Sequence, residues 1–514
     1  MNGAESLVRT LIKNGVDICF ANPGTSEMHF VAALDRVKGM RCVLGLFEGV
    51  VTGAADGYFR MKGVPACTLL HLGPGLANGL ANLHNAKKAS SGIVNIVGQH
   101  ALHHIECNAP LTSDIEGLAR PMSAWVRTSP DSRSVARDGA AAVAAAQSSP
   151  PQIATLILPA DAAWSDADDV ADVTETLQRR DYSSQAIEST AKILRGSGET
   201  LLLLAGSALT ERGLALAAGI AGKTGCKVMG ETFNARMARG RGRFFVDRIP
   251  YPVEQALSVL KPFRTIILVE ANDPVAFFAY PDKPSFLKPE GCDVHRMTAN
   301  GENSIAALEA LAGAVGASLR DAKPQQPMEI GWPKGPLNHV SIAQAIAMAI
   351  PENAIVIDEA ITTGRKFFPS TAFAAPHDWL QNMGGSIGFS TPVAIGAAVA
   401  CPERKVICMV GDGSAMYTLQ SLWTQAREGL NVLTIIFSNR MYQILRGEFD
   451  GVGAGEPGKK AMDMLSLDRP ALDWVRLGRG MGVQGRAATT TDEFNKALAE
   501  AMAEQGPRLI EVQM

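Results

Sequence analysis

One short run in this chain joins a cation ligand to an anion cradle. Gly411-Asp412-Gly413-Ser414 follows the apolar run Val406–Val410 and opens a helical pattern through Glu428. Glycines there let the backbone turn tightly against a phosphate, and amides at a helix start favour an anion. Asp412 stands where a hard cation needs a carboxylate. A second apolar run, Leu433–Phe437, ends at Ser438-Asn439, and Asn439, 27 residues after Asp412, can add a neutral carbonyl oxygen. One carboxylate with neutral and phosphate oxygens is Mg²⁺ chemistry. No Walker-type lysine follows the glycines, which argues against an ATPase.

Three further features could take part in chemistry. Glu48 follows the run Cys42–Gly45 and enters an apolar, small-residue segment ending at Tyr58. A carboxylate poorly solvated in that setting can share a proton with a ring nitrogen; an ordinary helix-start carboxylate is the plainer reading. Gly384-Gly385-Ser386-Ile387-Gly388-Phe389 makes a Gly-rich turn ahead of a helix expected over Pro392–Ala400. His71 closes the run Ala66–Leu70; it reads first as a structural histidine and second as a proton-transfer group.

Elements of one kind must position these residues. In the first third Ile18–Ala21, Cys42–Gly45, Ala66–Leu70, Ile93–Val97 and Ala154–Leu158 read as strands separated by helix-length segments. Thr200–Ala205 and Thr265–Glu270 do the same in the middle. Ala354–Ile357, Val406–Val410, Leu433–Phe437 and Arg508–Val512 follow in the last third. Short apolar runs alternating with helices make parallel sheets, which bind ligands at the strands' carboxyl ends. Turn-rich stretches at Ser165–Ser184 and Asp321–Asn338 divide the chain, so an α/β protein of three doubly wound domains is expected, over 1–165, 185–320 and 335–514. The Ala- and Val-rich run Gly139–Gln147 reads as a surface helix packing on a sheet. Arg236, Arg239, Arg241 and Arg243 read as a solvated basic loop, with nucleotide binding the lesser alternative.

Composition narrows the class. A net charge of −3 gives no basic field for nucleic acid or an acidic membrane surface. Glu5, Arg9 and Lys13 interrupt the apolar residues of Met1 to Lys13, and no run is long enough to span a bilayer. The eight cysteines include no C-x-x-C pair, which points away from a disulfide framework and toward the cytoplasm.

Together the motifs resemble the thiamine-diphosphate enzyme superfamily across essentially the whole chain. The family pattern is Gly-Asp-Gly followed at a set distance by Asn-Asn; here Ser438 replaces the first Asn and Asn439 keeps the second, the metal ligand. Asn22-Pro23-Gly24-Thr25-Ser26-Glu27, Leu70-His71-Leu72-Gly73-Pro74-Gly75 and Gly411 to Tyr417 are most similar to benzoylformate decarboxylase and to enzymes labelled acetolactate synthase large subunits. The resemblance implies thiamine diphosphate and Mg²⁺ as cofactors, acting on a small-molecule 2-oxo acid. Gly411, Asp412, Gly413, Ser414, Asn439, Met441 and Tyr442 would hold the diphosphate end, with Asp412, Asn439 and the Met441 carbonyl on the metal. Glu48 would protonate the aminopyrimidine, the Gly385 carbonyl would accept from its amine, and Ile387 would wedge the cofactor's two rings together. His71 would relay protons and Thr25 would contact substrate.

The same resemblance frames the substrate side. A second catalytic histidine of the related decarboxylase aligns with Ala279 here, and Ile444, with Leu445, lines the pocket where that enzyme has a smaller residue. A β-branched Ile444 implies a small donor such as pyruvate, and a missing proton donor implies carboligation to a carbonyl acceptor, with aldehyde release as the alternative. Leu201–Gly206 followed by Gly230–Arg243 carries no G-x-G-x-x-G run, so FAD is not expected. Related enzymes build the site between subunits, implying a homo-oligomer, minimally a dimer and by expectation a tetramer. A non-catalytic scaffold has no reason to keep Glu48, Asp412 and Asn439 together, and a nucleotide-dependent oxidoreductase should carry a dinucleotide fingerprint.

Overall fold

The buried apolar runs become the strands of three sheets in a computed structural model that describes residues 1–174, 179–196, 198–323 and 330–514. The first sheet takes β1 (Ile18–Asn22), β2 (Arg41–Leu44), β3 (Ala66–Leu70), β4 (Ile93–Gln99), β5 (Trp125–Thr128) and β6 (Ile153–Pro159). All are parallel, in the order β2-β1-β3-β4-β6-β5. In the middle of the chain come β7 (Thr200–Leu204), β8 (Lys227–Gly230), β9 (Met237–Arg239), β10 (Asp247–Arg248), β11 (Thr265–Val269) and β12 (Asp293–Thr298). Five of these form a parallel sheet ordered β10-β8-β7-β11-β12, and β9 leaves it.

The third sheet holds β13 (Ala354–Glu359), β14 (His377–Gln381), β15 (Val406–Gly411), β16 (Val432–Ser438), β17 (Gln484–Ala488) and β18 (Arg508–Gln513). Its order is β17-β18-β16-β15-β13-β14-β9, parallel except that β9 closes the edge antiparallel to β14. The expected α/β class, with three doubly wound parallel sheets, is what forms. Parts of the two expected interdomain stretches lie outside the described residues.

Several elements depart from the pattern reading. The helix after Gly411 does not run through to Glu428; it stops at Tyr417, turns, and restarts at Ser421–Arg427. The Ala-rich segment, by contrast, is the expected helix packed on a sheet: it spans Val135–Ala146 and buries Gly139, Ala140, Ala142, Val143 and Ala146. The arginine run is neither a solvated loop nor a free anion patch. Arg236 makes a two-pronged contact with Asp378 on β14 (2.9 and 3.1 Å), and Arg239, buried on β9, lies over the Phe368 ring. These side chains fasten the middle of the chain to the third sheet.

Close helix contact joins the first and third sheets. Helix Glu48–Lys62 crosses helix Ser390–Ala400 so tightly that a Cβ at Gly396 would fall 1.9 Å from the Ala54 carbonyl oxygen, and one at Gly57 2.2 Å from that of Val393. Arg60 then pairs with Asp56 at 2.7 and 2.8 Å, a buried ion pair whose third nitrogen, Nη1, donates to the Gln381 carbonyl at 2.7 Å. Among the described residues, no helix is long and apolar enough to cross a membrane.

Candidate active site

Neighbouring strands deliver the two residues expected to hold a cation. β15 and β16 pair with Gly411 opposite Phe437, so Asp412 and Asn439 emerge together at the carboxyl edge of the third sheet. Asp412 is 3% exposed and accepts from the Gly413 amide (2.9 Å) and the Arg440 amide (2.7 Å). Burial pushes its carboxyl above the usual range, and those amides oppose the shift. Asn439 Oδ1 accepts from the Met441 amide at 3.1 Å, in a turn where Arg440 takes a left-handed φ of 58°. A non-glycine residue held there marks a turn fixed by its surroundings.

Among the described residues, no cluster of three or more His, Cys, Asp or Glu side chains could hold a metal. A cation here would draw on one carboxylate and neutral oxygens. Gly411 faces open space, while a Cβ at Gly413 would strike the Tyr442 ring at 2.5 Å. Beside this turn lies a cavity of about 320 Å³ whose walls include Met441, Tyr442, Arg446 and Arg469.

A second group gathers at the carboxyl edge of the first sheet. Glu48 is the first residue of its helix, 9% exposed, and accepts from Asn78 Nδ2 at 3.0 Å. Gly75 holds Glu48 and His71 on either side of itself: a Cβ there would lie 3.2 Å from Glu48 Oε1 and 3.3 Å from His71 Cβ. Gly24 makes room for the imidazole, since its own Cβ would meet the ring at 2.3 Å, and exposed Thr25 follows at once. His71 Nδ1 meets Glu27 Oε2 at 2.8 Å, and that oxygen also accepts from the Gly24 amide at 2.7 Å. Burial raises the Glu27 carboxyl, against the pull of His71 and the Gly24 amide. The next residue, Leu72, is held left-handed at φ 51°.

The Gly-rich turn is pinned from three directions. Asn382 Oδ1 accepts from the Gly384 and Gly385 amides (3.1 and 2.9 Å), and Asn85 exchanges hydrogen bonds with Ser386 (2.9 and 3.1 Å). Asn82 Nδ2 bridges the Gly49 and Gly388 carbonyls at 2.8 and 3.3 Å, so the start of the Glu48 helix touches this turn within one chain. Buried Glu359, ending β13, accepts from the Gly388, Phe389 and Ser390 amides at 2.9, 3.2 and 2.8 Å. Ile387 is half-buried between these anchors.

Glu359→Gln turns one acceptor oxygen into a donor facing an amide. The loss of stability expected is about 1–3 kcal/mol, the cost of an unpaired buried group, read by denaturant unfolding; an unchanged midpoint would refute the clamp.

An aromatic segment packs beside the Gly-rich turn. Gly385, at φ 78°, leaves space that a Cβ would contest with Phe277 Cζ at 2.6 Å. Phe277 packs with Phe233, Tyr251 and Phe278, and exposed Ala279 follows. Tyr251 and Tyr280 donate to Glu448 at 3.1 and 2.8 Å, fastening helix Gln443–Gly451 against this segment. Ile444 is half-buried and Leu445 exposed on that helix. Sequence reasoning assigned no role to Glu27, Asn78, Asn82, Phe277 or Glu359. Only Glu27 had a visible signal, a carboxylate three residues past a turn glycine.

Comparisons with known proteins agree with this geometry. Residues 1–118 match the family "Thiamine pyrophosphate enzyme, N-terminal TPP binding domain" and residues 365–512 the corresponding C-terminal TPP binding domain. The chain is 48% identical, over 100% of its length and 99% of the relative's, to a Mycobacterium tuberculosis protein provisionally named acetolactate synthase large subunit IlvX. It is 30% identical to benzoylformate decarboxylase of Pseudomonas aeruginosa, covering 98% of this chain and 97% of that one. The 4-hydroxybenzoylformate decarboxylase of Rhodococcus jostii RHA1 superposes with a TM-score of 0.86 at 26% identity, over 100% of this chain and 99% of the other. With both cofactor-binding halves matched and relatives aligned end to end, the chain belongs to the thiamine pyrophosphate enzyme family.

Proposed function

We propose that the enzyme removes CO₂ from a small 2-oxo acid, pyruvate first among them, and joins the remaining fragment to a second carbonyl compound. The observation that supports joining over release is the apolar wall over the Gly385 turn. There Phe277, Phe278 and Ala279 present no proton donor at the position that the resemblance gives to a decarboxylase's second histidine. A second reading, release of a free aldehyde, is favoured by the Glu27–His71 pair, which fixes an imidazole beside Glu48.

The residues fit thiamine diphosphate held through Mg²⁺. Asp412 is a buried carboxylate with no cationic partner among the described residues, beside the neutral oxygens of Asn439 and the Met441 carbonyl. Gly411 offers open backbone for a phosphate. When bound, the cofactor supplies the electron sink for cleavage next to the 2-oxo carbonyl. Glu48 holds a proton for a pyrimidine nitrogen, the Gly385 carbonyl and Ile387 orient the rings, and His71 and Thr25 address the substrate. The N-terminal part, about 1–165, would meet the C-terminal part, about 335–514, of a neighbouring subunit, making a dimer the minimal unit and a tetramer the assembly. Eight unpaired cysteines suit a reducing cytoplasm.

A panel of 2-oxo acids, with and without aldehyde acceptors, tests the reading through CO₂ and acyloin measured together. Faster turnover of benzoylformate than of pyruvate, with free aldehyde as sole product, would overturn both donor size and outcome. Ile444→Ala is expected to move the kcat/KM ratio toward aryl donors by about 1–3 kcal/mol, the scale of small volume changes in apolar pockets. An unchanged ratio would take Ile444 out of the pocket.

A further inference from the structure

Three imidazoles stand in sequence at the carboxyl ends of two neighbouring strands. β3 and β4 pair in parallel with Leu70 opposite Val97, so His71 and His100 leave adjacent strands on the same sheet edge. His104, on the short helix Leu102–Ile105, meets His100 edge to face with ring centres 5.4 Å apart. Exposure rises outward: His71 and His100 are half-buried and His104 is exposed.

His100 has a ring nitrogen to spare. Among the described residues its buried Nε2 has no hydrogen-bond partner, whereas His71 Nδ1 is committed to Glu27. Leaving such a nitrogen unmet is unfavourable unless water or another group reaches it. Burial first, then His104, then His71 disfavour its protonation. Behind them stand Glu27, bonded to His71, and Asp161, which lies 3.8 Å from His103 and accepts from the Leu102 amide.

We propose that His104, His100 and His71 form a proton-supply path from solvent to the site. The proposal rests on the 2-oxo acid reading above and on proton balance. Releasing an aldehyde follows RCOCOO⁻ + H⁺ → RCHO + CO₂: the carbon–carboxylate bond breaks, and its electron pair ends in a new C–H bond. Joining that carbon to a second carbonyl also consumes one proton, taken by the acceptor oxygen as its π bond opens. Each CO₂ therefore draws one proton from solvent under either outcome, with no oxidant or reductant. His104 and His100 pass it inward because each ring accepts on one nitrogen and donates from the other, and His71, whose Nδ1 is held by Glu27, takes it up and hands it on at Nε2.

The test follows CO₂ release by the holoenzyme with its best 2-oxo acid, in wild type, His100→Gln and His104→Gln, at rising imidazole concentration. Each variant should lose kcat by about 10- to 100-fold, at or below the low end for proton-transfer catalysis, with KM unchanged, and added imidazole should restore the rate. Wild type should not respond. In the cofactor-free chain, NMR titration of labelled histidines should show His100 protonating at higher pH in His104→Gln, since a repelling neighbour is gone. Wild-type rates in both variants, or a loss that imidazole leaves uncorrected, would overturn the path; exposed His104 makes the second variant safe against misfolding. A wild-type chain that releases no CO₂ from any 2-oxo acid removes the functional reading and the path with it.

Discussion

Asp412→Ala is expected to abolish the rise in thermal stability that Mg²⁺ and thiamine diphosphate together give the wild-type chain. A ligand present at a thousandfold excess over its Kd stabilises the folded state by about 4 kcal/mol, and that increment should vanish. The Gly411–Ser414 turn carries no lysine to grip a diphosphate, and on the proposed reading the ion meets its charge. The unliganded fold should survive. Alanine gives up hydrogen bonds from the Gly413 and Arg440 amides, but it also removes a carboxylate whose burial is unfavourable. Thermal unfolding with and without the two ligands decides the matter, and a mutant that still gains the full increment would refute Asp412 as the ligand.

Glu48→Gln should separate cofactor binding from cofactor activation. The amide keeps the side chain's shape and an oxygen for Asn78, so the site should still assemble. It cannot give a proton to a pyrimidine nitrogen. Exchange of deuterium at the thiazolium carbon should slow by about 10²–10⁴-fold, the range of positioned proton transfer, while the ligand-induced rise in melting temperature persists. Exchange at the wild-type rate would take Glu48 out of the mechanism.

The sequence made the central strands legible because they are short, apolar and fully buried, as in β3, β4, β7 and β15. It concealed the edges and the polar strands. β14 reads His-Asp-Trp-Leu-Gln and is buried throughout, because Arg236 and Arg404 from elsewhere in the chain satisfy Asp378. No local periodicity signals such a strand. The site divides in the same way. Asp412 and Asn439 could be placed from strand–helix–strand logic alone, since adjacent parallel strands must end at the same edge. Glu359 could not, because a carboxylate closing a strand gains its meaning only from three amides that arrive some thirty residues later. His100 and His71 likewise become neighbours only through the pairing of β3 with β4.

The short antiparallel strand β9 constrains how this architecture can be cut. Its three residues come from the middle of the chain yet cover the outer edge of β14, where unpaired amides and carbonyls would otherwise invite another chain to add. A chimera that exchanged the whole central segment for a foreign one would strip that cover and leave Asp378 without Arg236. Recombination that respects the molecule must keep Met237–Arg239 with the C-terminal sheet it guards, even though more than a hundred residues of sequence separate the two.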